Sequence, residues 1–363
     1  MNDLYRLLLK WSPDILVCDE SHVLKNPESV RARKVSVLAD QAKHVYLLTG
    51  TPVLNNAMDL FMQFKILDGG ETFGRNFYAY RATYFEDENY RFKGKQSYFP
   101  KWGIRKEAYQ AIQNKIKEKS LRVLKKDCLD LPPLIRQNVY TELSMQQIKA
   151  YREMMTNFIT FIENKSGLPA AVVAQLAVTK ALRLQQIVSG FVKDDEGKVH
   201  RLDAPRAKVL EGLLSDLATD NKVIVWACFR ENYAMIAEVC TKLGYEYREI
   251  HGDSGTHKER FQAMDDFRKD PKVRVMIANQ GAAGVGVNLV EASYAIYYSK
   301  NFKLGDDLQS ESRNHRSGSE VHDKITRIDI VAKGTIDELV TEALQNKQNI
   351  SDRILEWKHK LLE

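Results

Sequence analysis

From about residue 206 onward, short apolar runs alternate with amphipathic stretches of helical length, and few architectures accept that order. Helical patterns at 206–219, 231–243 and 257–269 each precede a strand pattern, at 222–228 (KVIVWAC), 246–250 and 273–278 (VRVMIA). A glycine-rich loop, a strand at 293–298, a polar helix, a strand at 325–331 and a C-terminal helical region complete the series. Strands spaced by helices of this length form βαβ units, hence a parallel sheet with helices on both faces. Such sheets bind ligands beyond the C-terminal ends of their strands, so chemistry is expected there.

The start of the chain repeats the pattern in brief. DILVC (14–18) reads as a buried strand that ends on Asp19-Glu20, and HVYLL (44–48) as a second that ends on Thr49-Gly50-Thr51-Pro52. A helix is expected between them, with Asn26 as N-cap and Pro27 at its first position, and another over 56–67. From about 70 to 200 strand signals thin out, and amphipathic helices are expected over 105–118, 144–164 and 169–188. Residues 189–205 read as a loop or small hairpin at a domain boundary.

Bulk properties narrow the class. A length of 363 residues suits about two domains. Lys plus Arg number 54 against 48 Asp plus Glu, a net +6 that permits a polyanionic partner without demanding one. The four cysteines form no CxxC pair, which argues against zinc and for a reducing, intracellular setting. The longest apolar run, Val223 to Cys228, is far too short to cross a bilayer, so no membrane partner is expected.

Three clusters suit phosphate chemistry. Asp19-Glu20 at a strand end can serve a hydrated Mg²⁺ and orient a water molecule, although an acidic pair alone is more readily a solvated loop carboxylate or a helix cap. Thr49 to Pro52 lies one βαβ unit further on. In Gln309-Ser310-Glu311-Ser312-Arg313-Asn314-His315-Arg316, two arginines three apart share a helical face and can stabilise transition-state charge; alone, such a pair is usually a solvated face.

The order of these blocks resembles the Swi/Snf-type DNA-dependent ATPases of helicase superfamily two. DESHVLKN resembles that family's acidic box, LLTGTPVLNN its third motif, VIVWACFRENYAMIAEVC with HGDSGTHKERFQAMDDFR its fourth-motif region, GAAGVGVNL its fifth motif and QSESRNHRSGS its sixth. LRVLKKDCLDLPPLIRQNVYTELSMQQIKAY is similar to the segment before its second lobe, and LRLQQIVSGFV to its helical stretch near the lobe junction. The resemblance implies RecA-like parallel-sheet lobes of α/β class with a helical insert between them. The partial first lobe would be 1–67, the insert and linker 68–204, the complete second lobe 205–345 and a C-terminal helix 346–363. It implies ATP and Mg²⁺ as cofactors and double-stranded DNA as partner. By residue, it implies Asp19 for Mg²⁺ through water, Glu20 as activator of water, Arg313 and Arg316 as arginine fingers, and Gly286, Asn288 and Gln309 at the nucleotide cleft. Thr49 and Thr51 would couple nucleotide state to DNA.

Two departures bear on function. The family usually has Ser-Thr-Arg where this chain has Asn279-Gln280-Gly281, so a DNA-backbone contact there falls to Gln280. The family's phosphate loop, GxxxxGK[ST], is also missing: Gly94-Lys95 is followed by Gln96, and Gly197-Lys198 by Val199, each without the upstream glycine. The expectation is an N-terminally truncated double-stranded DNA translocase, inactive alone; either Met1 is an internal methionine of a longer protein, or the gene is split and a separate chain carries the missing first-lobe segment. The alternative is a non-catalytic DNA- or protein-binding remnant. The setting expected is the cytoplasm of a bacterial or phage-infected cell, favoured over a nucleus. Residues 75–102 mix ten aromatic with six basic side chains, which suits core packing in an insert better than a DNA-stacking platform.

Overall fold

Strand β8 (Lys222–Ala227) shows why the apolar runs are continuous. Val223, Val225 and Ala227 pack into one hydrophobic cluster, while Ile224 and Trp226 pack into another. A parallel sheet covered on both faces needs apolar side chains on both sides of each strand. The computed structural model describes residues 2–50, 52–53, 56–90, 100–163, 170–194, 196–281 and 287–346. The chain divides into two compact units, Met1–Val123 and Leu124–Glu363.

The first unit contains α1 (Asn2–Trp11), β1 (Ile15–Cys18), α2 (Val30–Ala39), β2 (His44–Leu47), α3 (Leu60–Asp68), α4 (Phe77–Tyr84), β3 (Phe85–Asp87), β4 (Trp102–Ile104) and α5 (Lys106–Lys117). β1 and β2 pair in parallel, Ile15 opposite His44 through Cys18 opposite Leu47. Leu16, Cys18, Val45 and Leu47 pack on the core, whereas Ile15, Val17, Tyr46 and Leu48 are exposed. α2 starts later than expected. Asn26 Oδ1 accepts from the Glu28 N–H (2.8 Å), closing a local turn, and the cap position falls to Ser29. Described aromatics of the mixed stretch serve mainly as core: Tyr80 and Phe85 are buried against Phe61, Phe64 and Phe73. Arg91 to Phe99 lie outside the described residues.

The second unit begins with α6 (Lys125–Cys128), β5 (Leu134–Thr141), α7 (Met145–Glu163) and α8 (Ala170–Val188). The antiparallel hairpin β6 (Phe191–Lys193) and β7 (Val199–Arg201) follows, where a loop or hairpin was expected. Then come α9 (Pro205–Leu217), β8, α10 (Arg230–Leu243), β9 (Glu246–Ile250), α11 (His257–Lys269), β10 (Val273–Asn279), β11 (Ala292–Tyr297), α12 (Leu304–Glu311), β12 (Ile325–Ala332) and α13 (Ile336–Gln345). The sheet has six strands in the order β5-β12-β11-β8-β10-β9, with every pairing parallel. The architecture is therefore α/β and RecA-like. Its edge strand β5 comes from the stretch where the sequence shows few strand signals. Residues 347–363, expected to be helical, lie outside the described residues.

Candidate nucleotide site

At the end of β1 the chain turns sharply, and Glu20 adopts a left-handed backbone (φ 49°, ψ 45°). For a residue other than glycine this conformation costs on the order of 1 kcal/mol and needs support from its surroundings. The support is local. Asp19 Oδ1 accepts from the Glu20 N–H (2.8 Å). The Ser21 N–H donates to Leu48 O, and the Leu48 N–H to Cys18 O, each at 2.9 Å, so the turn is fastened to the end of β2. Ser21 is completely buried, and its hydroxyl donates to Gln63 Oε1 (3.3 Å). Gln63, also buried, donates from Nε2 to Pro52 O (2.7 Å) and Asp59 O (2.8 Å). Asp59 in turn pairs with Lys25 (3.0 Å).

The acidic box and the third motif thus share one hydrogen-bonded framework. His22 links them a second time, with Nδ1 3.1 Å from Glu20 Oε2 and 3.5 Å from Thr49 Oγ1. Ser21, His22 and Gln63 carried no signal of this role: Gln63 is 42 residues from Ser21, and only the fold unites them. Asp19 stays exposed at the sheet edge, and Thr51 lies outside the described residues.

In the second unit the arginine-bearing turn follows α12. Its inner side is tied to the stretch before β11 and to that strand's first residue: the Leu289 N–H donates to Arg313 O (3.0 Å), and Asn314 Nδ2 to Ala292 O (3.1 Å). Arg313 is largely buried, with Nη1 3.5 Å from Val287 O, whereas Arg316 and Gln309 are partly exposed. Asn288 lies in the same stretch, and its side-chain oxygen is buried with no hydrogen-bond donor among the described residues. Gly286 lies outside them. The fold therefore gathers Asn288, Gln309, Arg313 and Arg316 around one turn, while Asp19, Glu20 and Thr49 gather in the other unit.

Gln280 is a correction. Expected at the DNA surface, it is 0% exposed. Its Nε2 faces Ser310 Oγ (3.4 Å) and Asp307 Oδ1 (3.5 Å), and its Oε1 accepts from the Asn301 N–H (3.1 Å). A side chain engaged inward on α12 cannot also reach a phosphate outside.

Beneath α12 lies a buried ionic cluster that sequence reasoning did not anticipate. Arg327 donates to both oxygens of Asp307 (2.8 and 3.0 Å), to Glu311 (3.1 Å) and to Asp329 (3.2 Å), and its guanidinium lies 3.9 Å from the Tyr297 ring centre. Arg136 grips Glu311 with a two-bond fork (2.8 and 2.6 Å). Burial alone would raise the Glu311 pKa, but the Arg136 hydrogen bond and the Arg327 charge outweigh it and hold the carboxyl below its usual range.

A SNF2-related domain model matches residues 3–196, and a helicase conserved C-terminal domain model matches residues 205–318. Among curated proteins, the chain is 27% identical over 350 residues to the human DNA annealing helicase and endonuclease ZRANB3, covering 94% of this chain and 30% of that protein. It is 24% identical over 366 residues to the ISWI chromatin-remodeling complex ATPase ISW1 of Saccharomyces cerevisiae, covering 96% and 30%. The chain thus spans under a third of the length of either relative. Among solved structures, the C-terminal part of the Fun30 ATPase domain aligns with a TM-score of 0.52 at 17% identity, over 64% of this chain and 98% of that one, a likeness of fold. With the SNF2-related match spanning more than half of its residues, the chain belongs to the SNF2 family of Swi/Snf-type helicase superfamily two proteins.

Proposed function

We propose that this chain supplies the acidic box and the arginine-bearing lobe of a DNA-dependent ATPase that translocates on double-stranded DNA. The observation that carries the reading is Glu20: a carboxylate held in a costly left-handed turn, at the C-terminal edge of a parallel sheet, by a framework that also grips the third motif. Strain retained at a strand end is a mark of a working site.

In this reading Glu20 orients the attacking water, and Asp19, exposed beside it, serves Mg²⁺ through its hydration shell. Among the described residues no three His, Cys, Asp or Glu side chains cluster as a metal cage. That fits an ion that keeps several waters and takes one or two protein carboxylates. When bound, Mg²⁺ neutralises charge developing on the β- and γ-phosphates. In this reading Arg313 and Arg316 supply positive charge to the nucleotide's phosphates, with Gln309 and Asn288 in the same turn region. The His22 link from Glu20 to Thr49 passes nucleotide state toward the DNA-contacting side.

The 363 residues contain no GxxxxGK[ST], so the reading assigns the phosphate loop to a segment outside them, in the same polypeptide or another. A parallel sheet is ordinarily covered on both faces, and Ile15, Val17, Tyr46 and Leu48 offer such a segment an apolar seat. Double-stranded DNA as the track accords with the DNA named for the human relative and with the net positive charge. The test is Glu20→Gln in an assembly with a phosphate-loop segment. Hydrolysis should fall by roughly 10²-fold or more while ATP binding persists. Turnover at the parental rate would reduce Glu20 to a loop carboxylate.

A further inference from the structure

The turn that carries Arg313 and Arg316 is held on its outer side by residues from a single distant stretch. Arg136 forks onto Glu311, two residues before Arg313. Two residues after it, His315 Nε2 lies 2.9 Å from Pro132 O. A carbonyl only accepts, so that nitrogen carries the proton. Lys125 Nζ donates to the His315 carbonyl oxygen (3.2 Å). Loss of water around the ammonium is the main influence lowering the Lys125 pKa; Glu311 opposes it, while Arg316 and Arg313 reinforce it. Lys125, itself exposed, thus touches the turn at a residue between the two arginines.

We propose that the segment Lys125–Arg136 is a positioning strap that sets the placement of Arg313 and Arg316 by gripping Glu311 and His315 on either side of Arg313. The proposal rests on the reading of those arginines as phosphate-facing.

The strap is built to be stiff. Pro132 and Pro133 each have φ fixed by their rings. Pro133 O accepts from the Ile325 N–H (3.0 Å), and from Leu134 to Thr141 the strand is zipped onto β12 residue by residue. Its other end meets the boundary between the compact units, after Val123. The strap is thus the stretch of chain through which the connection to the first unit leaves the second.

The grip is also sensitive to register. Arg136 lies directly opposite Arg327 in the β5–β12 pairing. Two guanidinium groups on strands ~4.8 Å apart repel unless an anion lies between them. Glu311 is that anion, bonded to both. Displacing the strap would take one guanidinium from Glu311 and disturb the end of α12, from which the arginine turn departs.

The test compares the unaltered full chain with Arg136→Gln and Arg136→Lys. Hydrogen exchange should accelerate about tenfold at 309–318 in Arg136→Gln, the equivalent of about 1.4 kcal/mol from a lost charged fork, and less in Arg136→Lys. Amides of β8 and β10 should be unchanged. Unchanged exchange at 309–318, or equal acceleration across the sheet, would overturn the strap. In an assembly with a phosphate-loop segment, Arg136→Gln should lower kcat with KM for ATP preserved, because misplaced fingers weaken the transition state alone. Local loosening with an unaltered kcat would also overturn the positioning role. If the unaltered assembly shows no turnover, the ATPase reading fails, and the exchange result still decides the strap.

Discussion

Arg327→Met should destabilise the second unit far more than the loss of any surface cation. Arg327 is 5% exposed and makes hydrogen-bonded ion pairs with Asp307, Glu311 and Asp329. Methionine has similar reach but no charge. After the change Glu311 retains Arg136, and Asp329 retains Lys300 at 3.5 Å, but Asp307 loses both bonds of its guanidinium fork and, among the described residues, keeps the long side-chain contact from Gln280. Removing one member of a buried ion pair costs about 3–5 kcal/mol, because the charge left behind is neither solvated nor compensated. For a unit of this size each kcal/mol moves Tm by about 2–4 °C, so a drop of roughly 6–20 °C is expected. Urea or thermal unfolding followed by far-ultraviolet circular dichroism gives the measurement. Lys269→Ala, which breaks an exposed pair with Asp265, is the control and should cost no more than about 0.5 kcal/mol. Adding Asp307→Asn to Arg327→Met should recover part of the loss by removing the stranded charge. A loss for Arg327→Met no larger than the control's would refute the account of a desolvated cluster beneath α12.

Glu311→Gln adds a pH signature. A carboxyl whose folded pKa is depressed contributes stability above its unfolded pKa of about 4.3 and loses it as pH falls through the folded value. The urea midpoints of the unaltered chain and Glu311→Gln should therefore differ at pH 7 and draw together as pH falls below about 4.3 and through the depressed folded pKa; a constant gap would contradict the depressed pKa. In an ATPase-competent assembly, Arg313→Ala and Arg316→Ala should each slow turnover by up to ~10³-fold with little change in DNA affinity. Loss of DNA binding with turnover intact would move the pair to the DNA surface. Affinity for double-stranded DNA should fall linearly with salt on logarithmic axes, independent of sequence. A salt-insensitive affinity would count against backbone tracking.

What was legible in the sequence was what local patterning encodes. β8, β9 and β10 are apolar or bounded by clear helix signals, and their expected ranges differ from the observed ones by a residue at most. Strand β5 was not legible from its own residues. Its sequence LIRQNVYT alternates poorly, and most of its residues are exposed, so it lacks the apolar run that marks a central strand. The start of α2 was misplaced because Asn26 can satisfy a turn as well as a helix end, and local chemistry does not distinguish the two. Gln280 was assigned to the surface by its place in a motif, but its partners lie 27 and 30 residues away on α12. Arg327 and Arg136 likewise meet Glu311 only through sheet register. For the site, residue type and order pointed to Asp19, Glu20, Arg313 and Arg316, whereas the residues that hold them were supplied by tertiary structure.

The most direct test of the account is DNA-stimulated ATP hydrolysis by the purified chain, alone and mixed with a first-lobe segment that carries GxxxxGK[ST] from a close relative. A phosphate loop offers a ring of backbone N–H groups and a lysine to the β- and γ-phosphates, and no such loop occurs in these 363 residues. The account predicts turnover only in the mixture, stimulated by double-stranded DNA and abolished when the supplied loop's lysine is changed to alanine. Robust hydrolysis by the chain alone, or none in the mixture after the segment is shown to bind, would contradict it.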